Sequence, residues 1–176
     1  MKNTIRKYLL VIFAIAGIAA FTACSEDGED GEPFTIKSIE GEYVGSATGT
    51  MILINSEGKE IPFDVVSNGN ETAEITLSND GTTISVLEPT FYSASPVTYS
   101  ADEKYAYPGA IISNIKPEQN AETITINVKG YSSMNGVYTV AGDISGVFEG
   151  RNLTLDYTFL HAGGMIGTIH FEGTKK

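Results

Sequence analysis

Between Tyr43 and Phe171 the apolar residues of this chain recur at every second position, and glycine- or asparagine-bearing turns break the pattern. A period of two places alternate side chains on opposite faces of an extended strand, so the chain is predicted to be all-β. Tyr43 to Ile54 is the first long strand, with Tyr43, Gly45, Ala47, Gly49, Met51 and Leu53 on one face. Glu60 to Val66 follows the turn Asn55–Lys59 and aligns Ile61, Phe63 and Val65. Thr72 to Ser78 and Thr82 to Leu87 flank Asn79-Asp80-Gly81, a strong hairpin signal. Thr123 to Lys129, Gly136 to Ala141 and Ile144 to Phe148 come next. A closing hairpin runs out along Asn152 to Leu160, turns at His161-Ala162-Gly163-Gly164 and returns along Met165 to Phe171. No stretch reads as a helix of more than a turn or two.

About eight or nine short antiparallel strands joined by tight turns must hide their edges. The pattern predicts an up-and-down barrel, with a β-sandwich as the alternative. Neighbours in sequence read as neighbours in space. Glycines also fall within strands, at Gly45, Gly49, Gly136, Gly142, Gly146 and Gly167, as sharp bends and close strand approaches require. The inward face, with Met51, Leu53, Phe63, Val65, Leu155, Tyr157 and Phe159, could line a pocket or fill a closed core.

The amino-terminal segment follows a different rule. Lys2, Arg6 and Lys7 precede a charge-free, almost wholly apolar run from Tyr8 to Ala20, and Thr22-Ala23 leads to Cys24, the single cysteine. Positive start, apolar stretch and small residues are the order of an export signal. The apolar run is shorter than the roughly 20 residues of a membrane-spanning helix. A lone cysteine in an exported chain has no disulfide partner and, directly after the small residues, reads as a lipid acceptor. Ser25 to Glu32 is acidic and glycine-spaced, a solvated tether. From Cys24 to Pro33 it could extend to roughly 35 Å. The expected organisation is residues 1–23 as signal peptide, 24–33 as lipidated tether and 34–176 as the folded domain.

Phe21-Thr22-Ala23-Cys24 resembles a bacterial lipoprotein lipobox, with Phe21 where leucine is usual. The resemblance implies diacylglycerol on the Cys24 thiol, cleavage before Cys24 and acylation of the new amino group. Ser25-Glu26-Asp27 resembles the acidic export tag of Bacteroides-type lipoproteins. It implies an outer-membrane protein, lipid-anchored and facing the cell exterior. One short acyl chain binds a bilayer only weakly, whereas two or three make attachment effectively permanent.

Charge narrows the partners. The chain carries 22 acidic and 11 basic residues, net −11, and no acidic residue precedes Cys24, so cleavage makes the mature protein more acidic still. Phosphate backbones demand clustered Lys and Arg, so nucleic acid is not an expected partner. Anionic membrane surfaces repel such a chain, leaving the lipid as its membrane contact.

Gly41-Glu42-Tyr43 is similar to the Gly-x-Trp start of lipocalins, with tyrosine for tryptophan. The small-residue strand behind it and the closing hairpin look like the calycin-like lipoproteins of the Bacteroides group. The resemblance implies an eight-stranded calycin-like barrel, often with a cavity for an apolar ligand. It also implies a basic residue packed across the Tyr43 position, for which Arg151 is the candidate.

Catalytic signatures are missing. Gly-x-Ser-x-Gly does not occur, His161 and His170 fall about 20 Å apart along their hairpin and cannot share one metal, and no Asp-x-Asp-x-Asp-Gly loop is present. The chain is therefore read as a non-enzyme without cofactor or metal. Pro89 to Pro108 is the most suggestive stretch, since it interrupts the strand rhythm and holds Tyr92, Tyr99, Tyr105 and Tyr107. Tyrosine offers a rigid apolar face with a hydroxyl handle, suited to stacking on a sugar or a protein partner. The leading expectation is a small apolar or amphipathic ligand at the barrel mouth, with this loop as lid. The second is a glycan- or protein-interaction module that uses the loop on a filled barrel. Replacing Cys24 with alanine should abolish incorporation of radiolabelled palmitate and move the protein from the detergent phase to the aqueous phase. Retained label would refute the assignment of the lipid to Cys24.

Overall fold

The computed structural model describes residues 33–94, 104–107, 109–136 and 138–176. Cys24, the expected signal peptide and the expected tether up to Glu32 lie outside them, as does Tyr99. The described fold is all-β and antiparallel, with one short 3-10 turn at Ile36–Ile39. Twelve strands are described: β1 Gly41–Ile54, β2 Glu60–Val66, β3 Glu71–Leu77, β4 Ile84–Leu87, β5 Phe91–Ala94, β6 Lys104–Tyr107, β7 Ile111–Ile115, β8 Glu118–Gln119, β9 Thr123–Asn135, β10 Tyr138–Glu149, β11 Asn152–His161 and β12 Met165–Lys175.

β1 organises them. One of its edges pairs with β12 from Tyr43↔Lys175 to Leu53↔Met165. Its other edge is shared: the first half pairs with β3 and the second half with β2. From β12 the ladders continue through β11, β10 and β9 to β8. From β3 they continue through β4 to β7. β7 and β8 are consecutive in the chain, separated by Lys116 and Pro117, so the two branches of the strongly curled sheet return to one segment. There the Ser133 hydroxyl of β9 donates to the Ile111 carbonyl of β7. β2, β5 and β6 form a side branch off this path.

Strand alternation decides the core. Tyr43, Ala47 and Met51 of β1, Ala73 and Ile75 of β3, Ile84 and Val86 of β4, and Leu153, Leu155, Tyr157 and Phe159 of β11 are all buried in a single hydrophobic cluster. Of the expected inward residues, Met51, Leu155, Tyr157 and Phe159 are fully buried, Phe63 and Val65 are partly buried at its margin, and Leu53, near the end of β1, is half-buried outside the cluster. Tyr107 of β6 stacks on Phe91 (5.0 Å between ring centroids) and on Phe159 (4.4 Å), so the side branch contributes aromatic rings to the same core. Tyr43 donates its hydroxyl to the Ile39 carbonyl and meets Phe148 edge-on at 5.8 Å. Phe148 thus occupies the place expected of Arg151, which is exposed and donates from Nη2 to the Lys175 carbonyl at 2.8 Å.

Pro89 to Pro108 is not wholly a loop. Residues 91–94 and 104–107 pair as the β5–β6 hairpin, Phe91↔Tyr107 to Ala94↔Lys104. β7 and β8 fall where no strand pattern was read, because Asn114 and Pro117 interrupt the alternation. Gly136 lies in the β9–β10 turn at φ 60° rather than inside a strand.

Within the long strands, Gly45 and Gly142 are required by closeness alone. A Cβ at Gly45 would sit 1.8 Å from the Glu172 carbonyl oxygen, and one at Gly142 would sit 1.8 Å from the Thr158 carbonyl oxygen. Here neighbouring backbones approach too closely for any side chain, and the sheet can curl. Gly45→Ala should therefore lower unfolding stability by about 3 kcal/mol, the upper part of the range for overpacking. Urea denaturation followed by circular dichroism checks this, and an unchanged midpoint would contradict it.

Candidate functional site

Two groups of polar side chains stand apart from the ordinary turn bonds. One lies inside the sheet and the other on its outer face.

The inner group centres on Glu88, just after β4 and only 1% exposed. Its Oε1 accepts a hydrogen bond from the Tyr131 hydroxyl at 2.7 Å. Its Oε2 accepts from the Ala110 amide at 3.2 Å and, more weakly, from the Tyr107 hydroxyl at 3.5 Å. The Glu88 amide in turn donates to the Ala110 carbonyl at 2.9 Å. These bonds clasp residue 88 to residue 110 at the base of the β5–β6 excursion. Burial pushes the carboxyl up to about 7, although the three donors pull the other way. The same burial, reinforced by the Glu88 charge, raises the Tyr131 and Tyr157 hydroxyls above the ordinary tyrosine range. Glu71, 3% exposed, is explained locally: it accepts from the Ser67 hydroxyl and the Asn68 and Gly69 amides and closes the β2–β3 turn.

The outer group follows from register. Outward residues opposite one another form two rows across the strands. One runs Ser145, Asp156, His170, Thr48, and the other runs Asp143, Thr158, Thr168, Thr50 and on to Asp64 of β2. The rows line a shallow groove of about 360 Å³, with Lys129 at its border. His170 Nδ1 lies 2.7 Å from Asp156 Oδ1, and its Nε2 lies 3.3 Å from Glu172 Oε1. Asp156 and then Glu172 hold its imidazolium above the ordinary histidine value, against partial burial. Lys129 pairs with Asp143 at 3.1 Å, and the Gly130 amide donates to Asp143 at 2.8 Å. Hydroxyls, carboxylates and an imidazole are thus set on ladder positions, where the backbone rather than side-chain order fixes their spacing.

The sequence-predicted residues separate. Tyr107 is buried and serves the core. Tyr92 and Tyr105 occupy strand positions opposite Ala106 and Ser93. The two histidines are far apart, as the hairpin register required. His170 faces the groove opposite Asp156, while His161 is buried at the rim, its ring tilted at 49° against Tyr138 with 4.6 Å between centroids, and depressed in pKa by that burial. The described residues contain no group of three or more His, Cys, Asp or Glu able to hold a metal ion. Sequence reading missed both Glu88 and the groove. Glu88 offered one signal, an acidic residue continuing the apolar alternation of Ile84 and Val86.

The Glu88 environment has a pH signature. Its native pKa of about 7 exceeds the unfolded value of 4.5, so the folded state holds the proton that the unfolded state releases. The stability Glu88 contributes is complete below pH 4.5 and is lost as pH rises through about 7. Urea midpoints measured from pH 4 to 8 should show a Glu88-dependent fall of about 3 kcal/mol. Glu88→Gln, which keeps the shape, should start lower and lack this fall. An identical pH profile in the variant would contradict the assignment.

No family model matches the chain, and no curated protein matches it. Among solved structures, one from Bacteroides fragilis NCTC 9343 is described as a "putative outer membrane protein". It superimposes with a TM-score of 0.49 at 18% identity, over 80% of this chain and 52% of its own. The chain thus spans about half the length of that structure.

Proposed function

We propose that this protein is an outer-membrane lipoprotein, anchored through Cys24 and facing the cell exterior, whose β domain is a non-enzymatic glycan-binding module with a filled interior. The observation that carries this reading is the occupied core. Phe91, Tyr107 and Phe159 form a continuous stack, and Tyr43, Phe148, Leu155, Tyr157 and Phe171 fill the remaining inward positions, each no more than 2% exposed. A carrier must exchange such side chains for ligand, and interiors at crystal-like packing density have no room for that without rearrangement.

Recognition then belongs outside. The groove presents Thr48, Thr50, Thr158, Thr168 and Ser145 hydroxyls among the Asp143 and Asp156 carboxylates and His170. This is a donor and acceptor set suited to a polyhydroxylated ligand. One row ends at Asp64, and β2 carries the β5–β6 excursion at Val65 and Val66, so the tyrosine-bearing strands adjoin the strand that borders the groove. Tyr92, Tyr99 and Tyr105 are the candidate stacking residues of this reading.

Binding of a displaceable fluorescent fatty-acid probe, together with native mass spectrometry of freshly purified protein, tests the filled interior. The expected result is an empty protein without saturable probe binding. Stoichiometric binding would restore the carrier reading. On a bacterial surface-glycan array, the wild type should bind a defined subset that Asp156→Ala or His170→Ala weakens about tenfold, the loss of one good charged hydrogen bond. Unchanged binding by both variants would remove the groove from the proposal.

A further inference from the structure

His170 stands on β12 between two carboxylates. Its cross-strand neighbours are Asp156 of β11 and Thr48 of β1, and Glu172 follows on the same face of β12. Nδ1 lies 2.7 Å from Asp156 Oδ1, and Nε2 lies 3.3 Å from Glu172 Oε1. An ionised carboxylate can only accept, so each contact needs a proton on the ring nitrogen that faces it. A neutral imidazole carries one such proton and an imidazolium carries both. The observed pose is therefore that of the charged ring. Asp156, opposed by partial burial and aided by Glu172, correspondingly raises the proton affinity of His170 above the ordinary histidine value.

The other charged groups of the face are engaged elsewhere. Asp143, one row away, is held by Lys129 at 3.1 Å and by the Gly130 amide. Ser46, Thr50, Thr154 and Thr158, which occupy the adjacent rows on β1 and β11, carry no charge. Loss of one proton from the ring then has a local consequence. The shorter contact with Asp156 keeps the proton on Nδ1, and Nε2 gives its proton up. Nε2 and Glu172 Oε1, 3.3 Å apart, become two acceptors with no proton between them. The charged ring satisfies its own contacts, whereas the neutral ring leaves a place for an outside donor.

We propose that His170 makes ligand binding in the groove proton-controlled: its imidazolium form closes the Nε2–Glu172 position, and its neutral form opens that position to a hydroxyl donor of the glycan. The inference rests on the glycan reading of the same groove and gives that reading a direction in pH. Binding of a neutral glycan strengthens as pH rises and Nε2 loses its proton. By linkage, the bound glycan lowers the proton affinity of His170 by the same factor. The three side chains are partly exposed, so water competes for the position and the factor is about threefold.

Two measurements separate this switch from the glycan reading. The first needs no ligand. The chain has two histidines, so NMR titration of the full-chain protein labelled at the histidine nitrogens follows His170 beside His161. Both His170 nitrogens should be protonated at pH 5, Nε2 should lose its proton first, and Glu172→Gln should lower the titration midpoint. A ring with a single proton at pH 5, or a midpoint indifferent to Glu172→Gln, would overturn the switch. The second reads the bacterial surface-glycan array at pH 5 and pH 9 for its neutral glycans alone. Wild-type binding should be about threefold stronger at pH 9, and Glu172→Gln, whose amide serves either state of the ring, should abolish the difference. The variant keeps Glu88 and His161, so a pH difference that survives in it comes from another group and overturns the switch. Equal wild-type binding at the two pH values overturns the switch alone. An array without groove-dependent binding at either pH overturns the glycan reading and the switch with it.

Discussion

The structure depends on how one long strand satisfies its two edges. β1 pairs along nearly its whole length with β12, and its other edge is divided between β3 and β2. An antiparallel sheet of this width would otherwise expose long rows of unpaired amides and carbonyls. Dividing one edge sends the chain along two branches. One returns through β4 and β7 toward the far end of the sheet, and the other forms the side hairpin β5–β6. The tight backbone approaches at Gly45 and Gly142 allow the main sheet to curl enough for its ends to reach consecutive strands.

Curling fixes what the interior can be. Side chains from β1, β3, β4, β9, β10, β11 and β12 converge on one apolar cluster, and the β5–β6 hairpin adds Phe91 and Tyr107. A buried carboxylate among them is costly unless hydrogen-bonded. Glu88 meets that condition by receiving two tyrosine hydroxyls and a backbone amide. The polar core is thus not a defect in the packing. It fastens the neck of the excursion, from residue 88 to residue 110, to strands distant in sequence.

Much of the fold was legible from residue pattern. β2 was read with its observed limits, and β1, β3, β11 and β12 were read within a few residues, because each carries uninterrupted alternation on a half-buried sheet. β7 and β8 were not, since Asn114 at φ 60° and the buried Pro117 break the period where the two branches meet. The candidate site was less legible. Tyr107, grouped in sequence with Tyr92, Tyr99 and Tyr105, proves to be a core residue. The groove draws on Thr48, Asp143, Asp156 and His170, which no spacing rule connects.

By itself, the sequence determined the all-β class, the face of most strands and the positions of most turns. These follow from local physics: side-chain alternation along an extended backbone and the conformational freedom of glycine and asparagine in turns. Only the tertiary structure decided which strands share the edges of β1, that the interior is packed, that Glu88 lies among tyrosines and that two rows of polar residues form a groove. Those outcomes depend on register between segments as distant as residues 48 and 170. Register is set by the simultaneous burial of all inward faces, which no single stretch of sequence contains.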